Sequence, residues 1–208
     1  MSPSTLTPTV PSGPTGPAWE IALLFPEQGD WGAEEYLAVS ERSNYFVELS
    51  AGRVEVLELP GKIHQRIVAI FHALLEAFVQ AKRLGETVIA PYPVKVAEGV
   101  FREPDIVFML AANVARMGDQ FSDGADLVVE VLSKDRNRDL VTKRAEYAEA
   151  NIAEYWIIDP RDSRVTVLTL RGGEYVEHGS FGLADRATSR LLEGFEVEVA
   201  TVLKPAQR

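Results

Sequence analysis

The polar and apolar positions of this chain fall into short strand-like runs separated by turn residues, with one long helical period among them. Ile63, Ile67, Ile70, Phe71, Leu74, Leu75 and Phe78 recur at helical spacing and predict an amphipathic helix over residues 62–82. Gly85 is expected to end it as a C-cap. Residues 33–42 read as a shorter helix. The β-prone runs 45–49 and 53–59 flank Ser50-Ala51-Gly52 and predict a hairpin. Residues 87–91 and 93–97 are short strand candidates, and 100–110 carries a further apolar run. Residues 111–126 are mixed, a helical turn plus loop. Residues 127–132 read as a central strand, and 135–151 as a second helix. Three more strands follow at 154–158, 165–170 and 174–178, with Asp159-Pro160 and Gly172-Gly173 as turns. Residues 195–203 close the pattern. This order of elements is α+β, with a mostly β core and two main helices.

Two acids interrupt the apolar pattern. Asp105 opens Ile106-Val107-Phe108-Met109-Leu110, and Glu130 lies within Leu127-Val128-Val129-Glu130-Val131-Leu132. A carboxylate at a buried strand is costly unless a proton, a partner or a metal neutralises it. Each acid alone has a structural reading: Asp105 as a turn cap, Glu130 as the partner of a base such as Arg144. Together they can supply hard oxygens to Mg²⁺ or Mn²⁺, with the carbonyl of Val131 as a third ligand. Such an ion serves phosphodiester hydrolysis. On the helix that follows, Asp139, Lys143 and Tyr147 lie four apart and share a face. Lys143 is the candidate ammonium to orient water and offset charge on phosphate.

Charge narrows the field. The net charge of −10 gives no general basic surface for nucleic acid, so any contact must be local. The stretch 134–144 carries Lys134, Arg136, Arg138, Lys143 and Arg144 against Asp135 and Asp139, which also fits a solvated helix face. There are no cysteines, which excludes disulfides and thiolate metal sites and fits a reducing, cytoplasmic setting. No secretory signal or membrane span is expected. Residues 1–18 hold five of the twelve prolines and read as a disordered arm, with a single domain over 19–208. Neither a P-loop nor a Gly-x-Ser-x-Gly elbow is present.

The ordered set Pro104-Asp105-Ile106, then Asp126 to Ser133, then Asp139-Leu140-Val141-Thr142-Lys143-Arg144-Ala145-Glu146-Tyr147-Ala148, then Glu154-Tyr155-Trp156-Ile157-Ile158-Asp159-Pro160 resembles the restriction-endonuclease-like PD-(D/E)XK superfamily. Within it the chain resembles the Uma-two family. Tyr45-Phe46-Val47-Glu48, Gly52-Arg53-Val54-Glu55 and His64 fit that family's N-terminal pattern, and the resemblance spans roughly residues 30–170. It implies a mixed sheet flanked by helices, with added hairpins at both ends, and a metal-dependent endonuclease acting on DNA, commonly as a homodimer. Asp105 and Glu130 would hold the metal and Lys143 would assist. Glu48 is either an accessory acid or an outward-facing strand residue. One departure stands out: the lysine that the superfamily carries two residues after the glutamate is Leu132 here, and Lys143 on the helix takes its place. A nuclease fold kept as a non-catalytic binding module is the alternative, and the acidic charge is in its favour.

Overall fold

The computed structural model describes residues 26–43, 45–133 and 138–204. The expected N-terminal arm, the start of order near Trp19, and Lys134, Asp135 and Arg136 lie outside these residues. The elements are α1 (Ala33–Arg42), β1 (Val47–Ser50), β2 (Arg53–Val56), α2 (Lys62–Lys82), β3 (Gly85–Ile89), β4 (Val94–Ala97), β5 (Val100–Arg102) and β6 (Ile106–Leu110). After a 3₁₀ turn at Val114–Arg116 come β7 (Leu127–Val131), a π-helical turn (Arg138–Thr142) running into α3 (Lys143–Glu149), β8 (Glu154–Asp159), β9 (Arg164–Arg171) and β10 (Glu174–Phe181). The short β11 (Arg186–Thr188), β12 (Glu196–Glu198) and α4 (Val199–Leu203) complete the described chain.

Six strands form the central sheet in the order β10-β9-β8-β7-β6-β3. Only β7 and β8 run parallel, joined over the sheet by α3; every other neighbouring pair is antiparallel. A second antiparallel sheet has the order β2-β1-β5-β4, and β11 pairs with β12. The fold is therefore α+β with a mixed sheet, and the expected hairpins are present as β1–β2 at one end and β9–β10 and β11–β12 at the other.

Side-chain alternation sorts the central sheet into two packed faces. Ile106, Phe108, Leu127, Val129, Val131, Trp156 and Ile158 face α2, which buries Ile67, Phe71, Leu75 and Val79 against them. Val107, Val128, Tyr155 and Ile157 face α3, which contributes Tyr147 and Ala148. Burial on both faces explains why β6, β7 and β8 read as largely apolar runs without polar alternation. Glu130 shares the α3 face with Val128. Of the helical period in α2, Ile63 and Leu74 are exposed and do not join the core.

Three expectations need correction. Helix α2 ends at Arg83, which is itself left-handed (φ 54°) and whose N–H bonds to Gln80 and Val79, not at Gly85. Gly85 starts β3, and it is glycine because the backbone of β6 passes so close that a Cβ would overlap the Met109 carbonyl oxygen. Gly85→Ala is expected to cost about 1–3 kcal/mol, seen as a lower Tm in thermal melting; an unchanged Tm would show that the strand can shift away freely. Secondly, the run 100–110 is split by Pro104, which has no N–H to give a ladder. Residues before it belong to the smaller sheet and those after it to the larger one, so Glu103 and Asp105 sit on the seam between the sheets. Thirdly, among the described residues of the expected second helix, 138–142 wind i→i+5 and the chain is α-helical from Lys143 to Glu149.

Candidate functional site

The register of the central sheet brings the two acids together. Ile106 pairs with Val129 and Val107 with Val128 in antiparallel register. One step further along that register sets Asp105 opposite Glu130, at the open end of the β6–β7 ladder. The Val131 N–H donates to Asp105 Oδ2 at 2.7 Å, and His64 Nε2, from the first turn of α2, lies 2.8 Å from Asp105 Oδ1. A residue's N–H and C=O point the same way in an extended strand, so the Val131 carbonyl faces the Asp105 side as well.

The α3 face closes over Glu130. Lys143 Nζ donates to Glu130 Oε1 at 2.8 Å and Tyr147 Oη donates to the same oxygen at 2.7 Å. Lys143 Nζ also lies 3.4 Å from Glu48 Oε1 and 3.6 Å from Asp139 Oδ1. The four-residue spacing of Asp139, Lys143 and Tyr147 thus survives the change from π to α winding, and all three are buried. Both hydrogen bonds that Glu130 takes from described residues fall on Oε1. The adjoining cleft has a volume of about 340 Å³, and Asp105, Glu130, Val131, Asp139 and Lys143 all line it, with His64, Glu103 and Arg138.

Burial dominates the electrostatics. It pushes the Glu130 carboxyl up to about 8, against the pull of Lys143 and with the help of Asp105 and Asp139. Burial likewise raises Asp139, which Lys143 and the Ser133 N–H partly offset. Burial works against the charge on Lys143, yet Glu130, Glu48 and Asp139 together hold its ammonium above the usual lysine range. Lys143 is therefore a cation and a hydrogen-bond donor here, not a base. Tyr147, buried beside Glu130, is pushed well above its ordinary value and stays a phenol.

Glu48 enters the cluster from behind Lys143. It is fully buried, accepts from the Glu103 N–H at 3.2 Å and from Arg138, and lies 3.7 Å from Arg102. Burial opposes its charge, but Lys143, Arg138 and Arg102 overcome this and hold it below the usual carboxylate range. It does not line the cleft, so it positions Lys143 and does not reach a bound molecule directly. Arg102 ties this layer together, bonding Glu146 of α3 and the Leu49 carbonyl of β1.

The profile of the Uma2 family, described as "Putative restriction endonuclease", matches residues 33–201. The chain belongs to this family. Its fold is shared by a solved structure described as "a putative nuclease belonging to DUF820 from Anabaena variabilis ATCC 29413", with a TM-score of 0.68 at 16% identity, covering 83% of this chain and 97% of that one. No match was found among curated proteins.

For this Uma2-family chain the sequence-derived residues converge: Asp105, Glu130, Val131 and Lys143 meet in one cleft, with Glu48 one layer beneath. The proposed pairing of Glu130 with Arg144 does not occur; Arg144 turns outward to the Tyr175 carbonyl, 2.9 Å away. Lys134 of the basic stretch lies outside the described residues. Tyr147 bonds Glu130 while its ring packs edge-on against Tyr155 at 5.2 Å. His72 and His178 do not line the cleft and bond Thr87 and Thr188.

Three residues of the site carried no assigned role in the sequence. Asp139 was visible only as a member of the helical face. Arg138 was one base in a basic run. Glu103, beside the Pro-Asp motif, gave no signal because its meaning depends on the seam between sheets. It is buried, and burial with Glu48 nearby raises it to about 8. Its Oε2 has no hydrogen-bond partner among the described residues, which an uncharged acid tolerates far better than a carboxylate.

The donor set suits a hard divalent cation. Two carboxylates stand opposite each other at a strand end with a carbonyl beside them, and Asp105 raises the cost of charge on Glu130. No group of three or more ligating side chains occurs among the described residues, and Mg²⁺ needs no such cage: it takes one or two carboxylates and keeps several waters.

Proposed function

We propose that this protein is a Mg²⁺- or Mn²⁺-dependent endonuclease that hydrolyses phosphodiester bonds in DNA. The observation that carries the reading is the placement of Asp105 and Glu130 opposite each other with the Lys143 ammonium bonded to Glu130. Membership of a family described as restriction endonucleases, and a fold shared with a nuclease-described structure, support it. Asp105, Glu130 and the Val131 carbonyl would hold the cation. When bound, it would supply Lewis acidity that lowers the pKa of a water and offsets the charge of the phosphate.

The chain's own residues supply the rest. Lys143 donates hydrogen bonds and positive charge at the reacting phosphate or the attacking water. Tyr147 fixes the orientation of Glu130. His64 and the Val131 N–H hold Asp105 in place, and Glu48 keeps Lys143 charged and aimed. Action as a homodimer, by analogy with nucleases of this class, would match the two strands of duplex DNA. A cytoplasmic setting accords with the lack of cysteine, and no helix among the described residues is long and apolar enough to cross a membrane.

The test combines metal-dependent plasmid nicking with thermal melting. Glu130 binds its proton more tightly in the folded state, since its value of about 8 lies above the ordinary carboxyl range. Its contribution to metal-free stability is therefore full in acid and declines as pH rises towards 8; Glu103 acts with the same sign. Glu48, held low, does the opposite, and its contribution is lost only as pH falls through the acid range. A cation must displace the proton on Glu130, so it binds more tightly at pH 8 than at pH 6. Mn²⁺ at a hundred times its Kd is expected to add about 2.7 kcal/mol, and the rise in Tm should be larger at pH 8. If Mn²⁺ moves the Tm at neither pH and no nicking occurs, the second reading gains: a nuclease fold serving as an interaction module. The charge of −10 and the self-contained ion-pair cluster favour that reading.

A further inference from the structure

We propose that Arg138 is the phosphate anchor of this cleft and that Glu55 is its internal competitor, occupying one side of the guanidinium until a substrate phosphate displaces it. This rests on the phosphodiester reading above.

Strand register supplies the first observation. Glu48 and Glu55 are direct cross-strand partners in the β1–β2 hairpin. Like charges in that position repel. Arg138, at the start of the π-helical turn, bridges them: Nη2 donates to Glu48, and Nη1 lies 2.7 Å from Glu55 Oε2. The two contacts are unequal. The Glu48 side chain is fully buried, whereas that of Glu55 is 49% exposed. A buried charge pair resists breaking, while an exposed one is worth little and exchanges readily.

The second observation is the charge of the cleft. Among the described residues lining it, only Lys143 and Arg138 are permanently cationic, set against Glu58, Glu103, Asp105, Glu130 and Asp139. Lys143 is buried and committed to three acids. The side chain of Arg138 is partly exposed and presents a planar fork, the geometry that matches two phosphate oxygens. With the Glu48 contact as pivot, the Nη1 side can turn from Glu55 to a phosphate without uncovering a buried charge. An acidic protein thereby keeps one local anion grip, shielded by its own hairpin when no substrate is present.

The experiment measures binding of a fluorescein-labelled DNA duplex by anisotropy, with Ca²⁺ in place of Mg²⁺, and KM and kcat for nicking with Mn²⁺. Arg138→Gln is expected to weaken duplex binding about tenfold, to raise KM more than it lowers kcat, and to reduce the salt slope by about one. Arg138→Lys should restore part of the affinity. Glu55→Gln should tighten binding about two- to fivefold, and this gain should vanish in the Arg138→Gln background. If wild type binds and cuts while both single variants keep its affinity, KM and salt slope, the inference fails and the nuclease reading stands. If Glu55→Gln tightens binding equally in both backgrounds, the effect is general charge removal, and the competitor role is overturned. Should Arg138→Gln not fold, Glu55→Gln decides alone, with unchanged or weaker binding overturning the proposal. A wild type that neither binds nor cuts overturns both.

Discussion

Glu130→Gln is expected to lower metal-dependent nicking by about 10³-fold while leaving the fold intact. Glutamine has the same shape as glutamate, and its carbonyl oxygen can still accept from Lys143 and Tyr147, as Glu130 Oε1 does. What is lost is the charge facing Asp105. Because burial already makes that charge costly in the metal-free protein, its removal should change the Tm little or raise it. The Mn²⁺-induced rise in Tm should disappear with it. Loss of activity with an undiminished melting temperature separates a site residue from a structural one. Equal nicking by wild type and Glu130→Gln would show that the cleft has been assigned to the wrong chemistry.

The second large effect is on stability. Lys143→Met is expected to destabilise the protein by about 3–5 kcal/mol, lowering the Tm by roughly 6–20 °C. The substitution removes one ammonium from among Glu130, Glu48 and Asp139, all of them buried. Glu48 keeps Arg138 and Arg102, whereas Glu130 and Asp139 lose the one cation that lies within 4 Å of them among the described residues. Those two acids must then protonate to stay buried. The deficit should therefore shrink as pH falls towards 5, where protonation is cheap, and widen at pH 8. Thermal melts of both proteins across that range check it. A Lys143→Met protein as stable as wild type at pH 8 would mean that the cluster does not depend on its central cation.

Much of this arrangement was legible because of burial on both faces. The runs 106–110 and 127–129 are apolar throughout, so the acids that flank them, Asp105 and Glu130, stand out, and α2 announces itself through Ile67, Phe71 and Leu75. The same property hid Glu48. Val47, Glu48 and Leu49 are all buried, so alternation along β1 could not say which face the acid takes. Its direction follows from Arg102, Arg138 and Lys143, which reach it from three separate elements. Glu103 and Gly85 were misread or missed for a related reason: each is explained by a strand distant in sequence, the first by β1 and the second by β6. The π winding at 138–142 leaves no mark in a four-residue spacing.

The parallel pairing of β7 with β8 has a consequence for synthesis of the chain. Asp105 and Glu130 emerge from the ribosome before Lys143 and Tyr147, and β8, which covers the second edge of β7, emerges after all four. A nascent chain that stops short of residue 154 holds both carboxylates and the lysine but lacks the strand that pairs with β7 on the side away from β6. The strand that carries Glu130 thus keeps an uncovered edge until β8 has been made.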